Sequence, residues 1–149
     1  MCRLRYLVEV SKDMITYLAG FLFLTVLAVQ DLKEKKVSTY KLFIFAVLAI
    51  LYIVFTKQFS WSEILASMIP GSILLLLSLV TGESIGYGDG MAVIVLGLWT
   101  GGRFAFDVFC IGTLLSGICA VIYLIRGKKD TIPLIPFLLI GMEVALIYV

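Results

Sequence analysis

The sequence predicts an all-α, polytopic membrane protein with about six transmembrane helices. Three observations carry that expectation. Of the 149 residues, 62% are hydrophobic and only 15% are charged, with a mean hydropathy of +1.12. Soluble chains use roughly 45–50% apolar residues, and a chain this short has no core large enough for the excess, so its solvent is lipid. The apolar residues form continuous runs, separated by short charged or glycine-containing breaks. Those runs lack the alternating polarity of a membrane β-barrel, and in lipid a helix satisfies its own backbone polar groups.

A spanning helix needs about 20 residues, so the chain holds six or seven spans and no sizeable soluble domain. Six apolar runs can be read, at 14–30, 40–55, 64–80, 90–100, 104–125 and 132–149. The first has a basic leader like an export signal, but Lys33, Lys35 and Lys36 follow it and no A-x-A site precedes Asp31; it reads as a retained span. Residues 1–13 are either a short interfacial segment, or Met14 marks the true start. The fourth run is short and draws on 86–89 at one end and Gly101 and Gly102 at the other. Pro70 is expected to kink the third span; Tyr40 and Trp61 suit interfacial anchoring. Together, residues 1–149 read as a single membrane domain.

Basic residues in the loops set the topology. The loops after spans one, three and five hold Lys33, Lys35, Lys36, Lys41, Arg126, Lys128 and Lys129; the other side holds Arg3, Arg5, Lys12, Lys57 and Arg103. The first group is the larger, which puts those loops in the cytoplasm and both chain ends outside. Of these, Lys33, Lys35, Lys36, Lys128 and Lys129 suit anionic lipid headgroups.

Composition also removes chemistry. The chain has no histidine, the usual general base and the commonest metal ligand. Cys2, Cys110 and Cys119 form no CxxC pair, so neither a zinc site nor a thiol redox motif is expected, and no cofactor, metal or nucleic-acid partner is assigned. Cys110 and Cys119 are nine apart, on opposite faces of a helix.

What remains is acids. Asp31 ends span one. Asp89 begins span four within Gly86-Tyr87-Gly88-Asp89-Gly90. Both fall at the cytoplasmic margin, at one depth. Two carboxylates sharing a proton can hydrolyse a peptide: one takes a proton from water, the other hydrogen-bonds the scissile carbonyl. Gly86 and Gly88 would let a substrate backbone approach and allow positive φ in an irregular, strand-like stretch lining a wet cavity. The plainer alternative makes Asp31 one more solvated charge in 31–36 and Asp89 a helix cap. Asp89 opens a helix and Asp31 closes one, so the dipoles place the charge on Asp89 and the proton on Asp31.

Gly86-Tyr87-Gly88-Asp89 is the GxGD pattern of membrane aspartic peptidases. Asp31-Leu32-Lys33-Glu34-Lys35-Lys36-Val37-Ser38-Thr39 resembles the first-aspartate motif of prepilin peptidases, an aspartate, a basic stretch and Ile-Pro-Asn. Ile132-Pro133-Leu134-Ile135-Pro136-Phe137, followed by Gly141, resembles their last-span pattern. Val37-Ser38-Thr39 departs from Ile-Pro-Asn, and Met91 stands where the family commonly has lysine. The resemblance implies cleavage of a short basic leader from type IV pilin-like precursors at the cytoplasmic face of the inner membrane. Asp31 and Asp89 would be catalytic, and Gly86, Tyr87, Gly88 and Gly90 would bind substrate or shape the loop. With span one running into Asp31 and no CxxC, the methyltransferase segment of larger members is not expected.

Other acids are weighed by position. Glu143 lies deep in the last span, where a bond to a neighbouring helix is the first reading and catalysis the second. Asp107 follows Arg103 by four, a spacing for an ion pair. Glu83 and Ser84 could shape the site or cap the next helix. A proton- or ion-coupled transporter is the competing class; it would prefer acids near the midplane and internal repeats, and no repeat is evident. An inactive scaffold binding pilin-like helices is a third.

Overall fold

In the computed structural model, residues 2–34, 38–57, 59–80, 86–126 and 133–148 are described, with side chains from residue 12 onward. Lys35, Lys36, Val37, Glu83, Ser84, Lys128, Lys129 and Ile132 lie outside the described residues. The described residues form six helices and no strand: α1 (Cys2–Glu34), α2 (Thr39–Thr56), α3 (Trp61–Val80), α4 (Tyr87–Thr100), α5 (Gly102–Ile125) and α6 (Ile135–Tyr148).

Helix α1 runs unbroken from Cys2, because no glycine or proline interrupts 2–19. Helix α3 starts three residues before the expected 64, at a capping box. The Ser60 N–H donates to Glu63 Oε2 (2.8 Å), and the Glu63 N–H donates to Ser60 Oγ (3.4 Å), satisfying two donors the helix end would otherwise leave open. The Ser60-Trp61-Ser62-Glu63 pattern is the sequence signature of that start. Thr16, Thr25, Thr56, Ser67, Ser72 and Thr100 each give their hydroxyl to a carbonyl one turn back, so they place no orphan donor in lipid.

Four helices are long and apolar enough to cross a membrane: Lys12–Glu34, Thr39–Thr56, Trp61–Val80 and Gly102–Ile125. They make this a multi-pass membrane protein. Helices α4 and α6 have 14 residues each, about 21 Å of rise, short of a hydrocarbon core of about 30 Å. For α4 the reason is position. It is the centre of the bundle and packs against α1, α2, α3 and α5, with nearly all of 90–100 buried. Helices α2, α3 and α5 turn Phe43, Phe55, Leu65, Leu76, Leu114 and Leu124 outward, as lipid-facing helices should.

Small residues let α4 sit close to α3. A Cβ on Gly71 would lie 2.7 Å from Gly90 O and from Ile94 N, and one on Gly97 would strike Ser67 O. The backbones touch here, as membrane helices do where small residues align. Helices α5 and α6 meet the same way, Gly141 over Val108 O and Gly112. Aromatic pairs stitch the rest: Tyr17–Phe104 at 4.7 Å, Phe23–Phe45 at 5.0 Å and Tyr52–Trp99 at 5.7 Å between centroids. These contacts put the end of α1 and the starts of α2, α4 and α6 at one end of the bundle.

Candidate active site

Asp31 lies in the last turn of α1 and is 5% exposed. Asp89 lies in the first turn of α4, before its buried body begins at Gly90. The two carboxyls are close enough to feel each other's charge. They are 58 positions apart in sequence (89 − 31). They meet because α1 and α4 pack together with the end of one beside the start of the other. Burial first, then the Asp31 carboxylate, pushes the Asp89 carboxyl up to about 7.

Helix α6 completes the arrangement. The Ile135 backbone N–H donates to the Asp31 carboxyl. Ile135 is the first residue of α6, Pro136 has no N–H, and the Phe137 N–H is held by Leu134 O at 3.0 Å. Asp31 therefore takes a donor that α6 leaves open at its start. Its second oxygen, Oδ2, is buried and has no hydrogen-bond partner among the described residues. The elevation of Asp89 runs against the expected placement of charge, which put the proton on Asp31. The elevated Asp89 is the member left to hold the proton. The Ile-Pro-x-x-Pro-Phe segment signals a resemblance in the sequence; its bond to Asp31 is a contact across helices that spacing cannot show.

The glycines differ in what they do. Gly86 is the extended N-cap of α4 (φ −60°, ψ 120°), so it uses no left-handed freedom. A Cβ there would lie 2.9 Å from Asp89 Oδ2, so the bare Cα leaves room for the carboxyl. Tyr87 to Gly90 are helical rather than strand-like, because α4 continues through them to the Gly86 O···H–N Asp89 turn at 3.0 Å. The N-cap residue is Gly86, which has no side chain to cap α4, and Asp89 stands three residues further on. Tyr87 is 48% exposed and Gly88 half-buried. Gly90 is buried against Leu75 of α3, a packing position. Met91, two residues after Asp89, is half-buried in α4 and packs against the apolar core. Among the described residues the one positive-φ glycine is Gly101, at the far end of α4.

Two further expectations fail. Arg103 and Asp107 are both exposed and form no ion pair among the described residues; they line a separate cleft of about 630 Å³ at the far end of α4, with Glu63, Tyr17 and Thr100. Glu143 is exposed on α6 and bonds to no neighbouring helix among the described residues. It stands eight residues past Ile135, about 12 Å along the axis from the carboxyl pair.

The family model of type IV leader peptidases matches residues 18–125. The chain belongs to that family. As a family member it is a protease, and the family processes type IV pilin-like precursors. No curated protein and no solved structure matches the chain. The matched residues of this leader peptidase include Asp31, Asp89 and the GxGD segment; α6 follows them.

Proposed function

We propose that this leader peptidase is an aspartic endopeptidase whose catalytic groups are Asp31 and Asp89. The convergence of the two carboxyls at one end of the bundle carries the reading. The Asp31 carboxylate takes a proton from water as its oxygen attacks the scissile carbonyl carbon. The Asp89 carboxyl gives its proton to the carbonyl oxygen. The tetrahedral gem-diol then collapses: one hydroxyl returns its proton to Asp89, the C–N bond breaks, and the amine leaves with the proton held by Asp31, which restores the pair. No metal or cofactor enters these steps.

The substrate on this reading is a pilin-like precursor, cut after its short basic leader on the cytoplasmic side of the inner membrane. The basic loops support that orientation. Residues 1–149 act as one peptidase domain with membrane lipid around it, and Gly86, Tyr87 and Gly88 border the substrate.

The test is cleavage followed by mass spectrometry, with purified protein in detergent and a pilin-like precursor. The wild type cuts at the leader, and Asp31→Asn and Asp89→Asn each abolish the cut. Cleavage that survives either substitution refutes the pair. Binding without cleavage by the wild type would instead mark a scaffold.

A further inference from the structure

We infer that Gln30 is a substrate-binding residue, whose side-chain oxygen accepts a backbone N–H from the bound peptide. This rests on the aspartic-peptidase reading of the adjacent pair. Gln30 is 9% exposed, and its Oε1 is buried with no hydrogen-bond partner among the described residues. The other half of the amide is fixed: Nε2 donates to Glu34 Oε2 at 3.0 Å. A flipped amide would set oxygen against oxygen, so the orientation is decided by Glu34. Oε1 therefore points away from Glu34.

The direction is legible from the helix. Gln30 is seven residues past Phe23, two turns less about 20°, so it shares the face on which Phe23 meets Phe45 of α2. Asp31 is turned about 100° from it, toward Ile135 of α6. Gln30 thus stands one residue before Asp31, on a face of α1 turned away from the one that meets Ile135. A buried acceptor without a donor is a standing deficit that a ligand can fill. An extended peptide brings backbone N–H groups that also need partners away from water, and one of them relieves both deficits.

The probe is a synthetic peptide spanning the cleavage region, bound to the inactive Asp89→Asn variant. A series of peptides replaces one backbone N–H at a time by an ester oxygen. Gln30→Met, which keeps length and removes the acceptor, is added to the same background. The expected result is that Gln30→Met weakens Kd about tenfold, the worth of one hydrogen bond. One ester replacement weakens Kd about tenfold with Gln30 present and has no effect with Met. Additive losses, or an unchanged Kd, overturn the assignment. So does failure of every peptide to bind. Should Gln30→Met not fold, Glu34→Leu at an exposed position decides: it frees the amide to rotate and must blunt the ester effect. Cleavage by the wild type that persists in Asp31→Asn overturns the catalytic pair alone.

Discussion

Gly86→Ala isolates the geometry of Asp89 from the stability of the fold. The new Cβ would stand 2.9 Å from Asp89 Oδ2 and 3.3 Å from its Cγ, where ordinary contact begins at 3.4 Å. The carboxyl must therefore yield by about 0.5 Å (3.4 − 2.9). A displacement of 1 Å at a reacting group can cost about a hundredfold in rate, so half of it costs about tenfold. The backbone at Gly86, φ −60° and ψ 120°, is open to alanine without strain. Losing glycine's freedom in the unfolded chain even stabilises, by about 0.4–1 kcal/mol. The assay pairs kcat on a precursor peptide with thermal unfolding in detergent. The expected outcome is kcat down about tenfold with Tm unchanged or raised. Full kcat would show that the bare Cα does not serve the carboxyl, and a fall in Tm would show that Gly86 serves the fold instead.

Further predictions follow from the same structure. The pair works with one proton shared, and Asp89 holds it to about pH 7; kcat should fall as pH rises through that value, with the apparent pKa belonging to the pair. The sign for stability agrees: a carboxyl raised from 3.8 to about 7 binds its proton in the folded state alone between those values, so stability falls as pH climbs through them, and Asp89→Asn should flatten the dependence. Gly71→Val drives a side chain into Gly90 O and Ile94 N and should cost at least about 2 kcal/mol, whereas Gly117→Ala meets nothing within 4 Å and should gain up to about 1 kcal/mol; chemical unfolding in detergent compares the two.

The apolar runs made the helices legible, since lipid demands continuous hydrophobicity and the breaks carry charge. Asp31 and Asp89 were legible as acids at one margin, because alternating spans bring odd loops to one side. The partner of Asp31 was not. Ile135 contributes a backbone N–H, which every residue but proline has, so no residue type marks it. Gly86 was visible, but for the wrong reason: φ freedom was expected, and clearance for a carboxyl is what its position supplies. Gln30 is the last residue of the 14–30 run, and the orphaned oxygen distinguishes it in the structure alone. The Arg103–Asp107 spacing allows a pair, but spacing on an exposed helix face does not compel one.

The brevity of α4 has an electrical consequence. Its two ends open onto separate places, the carboxyl pair at one and the cleft beside Arg103 at the other. Between them, residues 91–99 carry no ionisable side chain, and Ala92, Val93 and Leu96 are fully buried. That stretch of α4 is apolar and packed between the two ends. On the aspartic-peptidase reading, a proton exchanged at the carboxyl pair finds no ionisable relay along α4 toward the far end. A carboxyl placed at Leu96, fully buried midway along α4, would put the first ionisable group into that stretch.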